Sequence, residues 1–238
     1  DREVWLMQSR SKYIKQLDDL EAHVQRLGDH VVADIRAAGL ALAGDEGSAE
    51  GVLQGRKAER RLQHAIESGC LDALLLQQPL VAGDLRFVSG VFRIVSDLSH
   101  IGSMTRDIAF LSQSVPGEIV ARVGENLAAS CEKTADMVAL AVGAFKDADE
   151  EAARRVFALD NEVDELYKRS QDVIVEMIRT TTSDPEHLPE LLMVAKYFER
   201  IGDDAQRIAG WALFRVTGHH EVYYKAHDGE GANEAFPS

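Results

Sequence analysis

The chain has 238 residues, 45% of them apolar, and a formal net charge of −14. That length holds one large or two modest domains with a real core, while the acidity argues against a nucleic-acid groove, which needs clustered Lys and Arg, and against direct adsorption to anionic lipid. No apolar run approaches the ~18 residues of a membrane span, no signal-peptide pattern opens the chain, whose first residue is Asp, and the two separated cysteines, Cys70 and Cys131, read as buried thiols of a cytosolic protein.

Helical spacing dominates, and β-type alternation is scarce, so the chain is expected to be all-α. Residues 4–43 carry a stripe of Tyr13, Leu17, Leu20, Val24, Leu27, Val31, Ile35 and Leu42, ended by Gly44, Asp45 and Gly47. A second helix is expected over about 49–76, with Val52, Leu62, Ile66, Leu71, Leu74 and Leu75 on its stripe. The run QQPLVAGDLR (77–86) reads as a turn, with Asp84 as N-cap of a third helix. Ser114 to Gly117 form the strong breaker of the chain. A fourth helix is expected over about 117–145. A fifth, 148–180, begins with a capping-box-like Asp147 and Glu150. Ser183, Asp184 and Pro185 turn into a sixth helix, which Thr217 and Gly218 end. The final residues lack periodicity and read as a loose tail.

The sixth helix, LPELLMVAKYFERIGDDAQRIAGWALFRV (188–216), has a second copy 100 residues earlier. Val91 matches Leu191, Leu98 matches Phe198, Ile101 matches Ile201, Gly102 matches Gly202 and Ile108 matches Ile208. A repeat of this length means a duplicated unit. The expected architecture is two tandem three-helix bundles related by a pseudo-twofold: 1–114, then 115–217, followed by a flexible tail at 218–238.

Two carboxylate pairs stand out. Glu199 and Asp203 are four apart, as are Asp160 and Asp164 on the fifth helix. Side chains at that spacing lie one turn above another, at the same-handed edge of each helix's apolar arc. On antiparallel neighbours the four would share one groove, a hard oxygen site suited to Mg²⁺, Ca²⁺, Mn²⁺ or iron. Carboxylates four apart are also common on solvated faces. The first half serves as a control: Ser99 and Ser103 replace Glu199 and Asp203, and Arg56 and Arg60 take the places of Asp160 and Asp164 when Leu62 is matched to Leu166. Glu132 and Asp136 share the spacing and are read as surface. No Glu-x-x-His, phosphate loop or nucleophile elbow occurs, so no catalytic residue is assigned. His64 and His100 are read as structural or solvated, and Trp211 with Phe214 as core.

QQPLVAGDLR, YFERIGDDAQRIAGWALFRVTG and the doubled layout resemble the PhoU family of phosphate-uptake regulators. The resemblance implies the two-bundle fold. It also implies metal binding through acid-x-x-x-acid motifs, which carries over to Asp160, Asp164, Glu199 and Asp203. The ion would be divalent or iron-type (Fe, Mn, Mg or Zn), in the second bundle only, since Ser99, His100 and Ser103 depart from the family pattern in the first. It further implies a cytoplasmic regulator and not an enzyme. Such a regulator links the ATPase subunit of a phosphate ABC transporter to a sensor histidine kinase, without nucleic acid or membrane insertion, and a homodimer is an open expectation. The competing readings are a carboxylate-bridged metal-dependent enzyme and a metal-free helical adaptor.

Overall fold

The computed structural model describes residues 2–76, 81–180 and 187–219. Among them all regular structure is helical: α1 (Arg2–Leu42), α2 (Glu46–Leu76), α3 (Ala82–Leu111), α4 (Gly117–Ala121), α5 (Gly124–Asp147), α6 (Glu150–Thr180) and α7 (Leu188–Thr217). Among the described residues no helix is long and apolar enough to cross a membrane. Helices α1 to α3 pack on one another as a bundle, and α5 to α7 form a second. The halves join through α3 against α7 and α1 against α5, which leaves α2 and α6 outermost.

The stripe of α1 is buried as expected, from Tyr13 to Leu42, with Leu17 partly covered. On α2 the stripe runs instead through Val52, Ile66, Cys70 and Ala73, so that Leu71 and Leu75 are 53% and 75% exposed. The sequence expectation took Leu71 and Leu75 as apolar and therefore inward; a period of 3.6 carries them one step past the face that Cys70 and Ala73 occupy.

The expected fourth helix is two. One turn, α4, stops at Ala121, and α5 restarts after Val123, whose side chain is buried at the break. The start of α6 is capped by Asp149, whose Oδ1 accepts from the Ala152 N–H at 3.0 Å, rather than by Asp147. The chain reaches that cap through Ala148 in the left-handed region (φ 51°). Asp84 lies in the first turn of α3 but is not its cap, which is Val81. Helix α7 opens with a proline in its first turn and closes on Gly218 at φ 77°, a conformation glycine adopts without strain. The Ser183–Pro185 turn, the start of the 77–86 turn and the tail beyond His219 lie outside the described residues.

Helices α3 and α7 run antiparallel in a fixed register. Asp97 meets Arg207, His100 meets Asp204, and Asp107 meets Tyr197. Each step forward along α3 is an equal step back along α7, so Gly102 comes level with Gly202. The hundred-residue repeat and this register together place the pseudo-twofold at that level. Around it Leu98, Ile101, Phe198 and Ile201 are fully buried, each contributing about 1.5–3 kcal/mol over leaving it in water. One contiguous apolar core runs through both bundles.

At the far end of α7, Arg215 ties four helices. Its guanidinium lies 4.7 Å from the Phe87 ring and 5.2 Å from Phe145, donates to the carbonyl oxygens of Phe145 and Lys146, and pairs with Glu21 at 3.5 Å. It thereby satisfies the orphan carbonyls at the C-terminus of α5.

Candidate functional site

On α6 the buried stripe reads Ala153, Val156, Asp160, Val163, Ser170, Ile174 and Met177. Asp160 therefore sits within the stripe, 2% exposed, not at its edge. Asp164 is only partly covered. On α7 Glu199 is 5% exposed beside the fully buried Phe198, while Asp203 is half-buried. The edge placement expected from the helical wheel is thus too shallow for the first acid of each pair. Each helix packs more than one neighbour at once, α6 against α5 and α7, α7 against α3, α5 and α6, and the covered arc widens accordingly.

Gly202 brings the helices together. A Cβ there would lie 3.1 Å from Asp160 Oδ1 and 3.4 Å from Val163 Cγ1. Asp160 thus faces α7 at the residue before Asp203, one turn from Glu199. Glu199 Oε2 is buried and makes no hydrogen bond, but Lys196 Nζ lies 2.7 Å away and itself stands 5.0 Å from the Tyr167 ring of α6. As the side chains stand, no three of His, Cys, Asp and Glu among the described residues are close enough to hold a metal ion.

The same level of the first bundle is built differently. The Leu62–Leu166 match holds: Val52, Ile66, Cys70 and Ala73 are buried where Val156, Ser170, Ile174 and Met177 are. Arg56 and Arg60 are exposed. By that match Glu59 takes the place of Val163, and like Val163 it faces the glycine, since a Cβ at Gly102 would lie 2.6 Å from Glu59 Oε2. Glu59 is 2% exposed and pairs with Arg106. Arg106 Nη2 donates to Ser103 Oγ at 3.1 Å. Asp34 on α1 lies nearby. Burial pushes its carboxyl up to about 6, and Glu59 adds to the rise while His30 and Arg106 oppose it. Sequence reasoning missed Glu59 because RKAERR reads as a solvated charge run; its alignment with a core valine was the available signal.

A third cluster joins the halves. His100 Nδ1 lies 2.6 Å from Asp204 Oδ2, and Arg207 pairs with Asp204 and, at 3.1 Å, with Asp97. Burial pushes Asp204 up to about 6, opposed by Arg207 and His100. His100 is therefore a bridging residue, and Asp204 was not singled out from the sequence at all. Glu132 and Asp136 are surface residues, as expected, paired with Arg36 of α1. Both cysteines are free and buried, and burial pushes each thiol up to about 12, so neither is a ready nucleophile. Trp211 packs on the core edge-on to Phe214.

The PhoU domain family matches residues 24–111 and 128–212, one domain in each half. A phosphate-specific transport system accessory protein PhoU homolog from Clostridium acetobutylicum is 28% identical over 211 residues, covering 88% of this chain and 96% of the relative. One from Methanothermobacter thermautotrophicus, PhoU homolog 1, is 27% identical over 210 residues, covering 87% and 95%. The crystal structure of the phosphate transport system regulatory protein PhoU from Streptococcus pneumoniae superposes with a TM-score of 0.80 at 26% identity, covering 89% of this chain and all of that one. PhoU from Pseudomonas aeruginosa, at 24% identity and a TM-score of 0.76 over 87% of this chain and 99% of that one, shares the fold. With both of its halves matched, this chain belongs to the PhoU family.

Proposed function

We propose that the protein is a cytoplasmic regulator of phosphate uptake and phosphate-starvation signalling that acts by docking, not by catalysis. Its relatives are named accessory and regulatory proteins of phosphate transport. In this reading the partners are the ATPase subunit of a phosphate ABC transporter and a sensor histidine kinase. A rigid, acidic helical body with two matched halves suits a module that touches two partners. Deleting the gene should derepress phosphate-starvation genes in phosphate-rich medium, and wild-type expression in the deletion strain would count against this role.

We further propose that the second bundle holds a divalent or iron-type ion through Asp160, Asp164, Glu199 and Asp203. The observation that carries this is the burial of Asp160 and Glu199 on facing helices at Gly202. Ionised carboxylates taken from water are costly unless neutralised, and an all-oxygen donor set suits a hard cation. The residues fit the ion in donor chemistry. Lys196 now neutralises Glu199; it is 41% exposed and has solvent to turn into when an ion takes its place. The bound ion would supply the positive charge that locks α6 to α7. Elemental analysis of the protein and of its Glu199→Ala, Asp203→Ala double variant tests the assignment. Loss of bound metal in the variant is expected; unchanged metal content would refute it, and a metal-free wild type would favour a passive adaptor.

A further inference from the structure

The two bundles balance charge at the same level by different means. In the second, Asp160 lies against Gly202, with Glu199 and Asp203 to either side in sequence, and the residue one turn beyond Asp203 is the neutral Gln206. In the first, Ser99 and Ser103 stand in place of Glu199 and Asp203, and Arg106 stands in place of Gln206. The carboxylate here is Glu59, whose side chain is 3% exposed and packs against Gly102. Arg106, 14% exposed, pairs with it and reaches Ser103 Oγ through its other nitrogen. Asp34, 13% exposed, and His30 approach from α1, 3.6 Å from each other.

We propose that Arg106 is the built-in cation of the first bundle. Its guanidinium meets the position of one lost acid, Ser103, and neutralises the buried Glu59, so the charge a bound ion would bring is supplied by the chain. An arginine cannot be deprotonated in a protein, and its fork satisfies a carboxylate and a hydroxyl together. The compensation therefore cannot be chelated away. Without Arg106, Glu59 and Asp34 would remain as two carboxylates with no compensating cation. As the side chains stand they form no metal site with His30, but their oxygens, turned toward a shared ion, are donors that a divalent ion such as Mn²⁺ takes. The first bundle is metal-indifferent because of one residue. This inference uses the second-bundle reading only for comparison and stands on the geometry of Glu59, Arg106 and Ser103.

The test uses full-length chain carrying Glu199→Ala and Asp203→Ala as parent, so the fate of the second-bundle reading does not enter. Thermal melts are recorded in EDTA and in excess Mn²⁺, and bound manganese is counted after desalting. The parent should melt alike in both. Adding Arg106→Gln should lower the melting temperature in EDTA, restore it with Mn²⁺, and retain about one ion per chain. Arg106→Lys, which keeps the charge, should stay indifferent to Mn²⁺. Adding Glu59→Gln to the Arg106→Gln chain should abolish the Mn²⁺ response. The proposal is overturned if Arg106→Gln melts like the parent in EDTA, if Mn²⁺ restores nothing, or if that chain cannot be refolded even with Mn²⁺ present.

Discussion

His100 Nδ1 and Asp204 Oδ2 are 2.6 Å apart, and the bond between them joins α3 of one half to α7 of the other. Asp204 is 2% exposed, so its charge depends on partners, and Arg207 is the stronger one because it also holds Asp97. Arg207→Ala is expected to destabilise the protein by about 2 kcal/mol in urea unfolding at neutral pH. That lies below the ~3–5 kcal/mol of a fully buried broken pair, since the guanidinium is itself half exposed. Arg207→Lys should recover part of the loss, as it restores charge without the fork. An unfolding midpoint equal to wild type in Arg207→Ala would show that the bridge contributes nothing.

The glycine level is expected to resist enlargement unequally. Gly202→Leu should cost about 1–3 kcal/mol by overpacking, and Gly202→Ala less, because its Cβ meets Asp160 Oδ1 at a tight but adjustable 3.1 Å. Gly102→Ala is expected to cost more than Gly202→Ala, because its Cβ would lie 2.6 to 2.8 Å from the Glu59 carboxylate and would displace the pair with Arg106. Melting temperatures of the three variants check the order; an undisturbed Gly102→Ala would place that helix contact further apart than the structure has it.

Asp34 should make stability depend on pH in the direction opposite to an ordinary salt-bridged carboxylate. Its folded pKa, about 6, lies above the ordinary aspartate value of 3.8, chiefly through burial. The folded state therefore binds the proton more tightly than the unfolded chain. The associated stability is fully present below about pH 4 and is lost as pH rises through about 6. The shift is equivalent to about 3 kcal/mol, reduced by whatever His30 and Arg106 return on ionisation. Asp34→Asn is expected to flatten the urea-unfolding stability between pH 4 and 7 relative to wild type. A profile parallel to wild type across that window would show that Asp34 is already ionised in the fold.

What the amino-acid order determined by itself was local and periodic. The long helices, the duplicated unit, Gly102 and Gly202 as matching positions of the repeat, and the spacing of the two acid pairs were all legible because helical spacing repeats every 3.6 residues and a duplication preserves it. Caps and the break at Val123 were less legible: Asp147 and Asp149 are both able to cap, and the choice falls on the one beyond the left-handed Ala148. The depth of the acids was decided only by tertiary packing. A helical wheel assumes one partner, but α6 and α7 each lie between others, so Asp160 and Glu199 fall inside the core rather than at its margin. Packing alone also brought together residues far apart in the chain, Glu59 with Arg106 and His100 with Asp204. No local pattern marks such pairs, because it is the burial of their carboxylates that makes the partner matter, and that burial exists only once the helices have crossed.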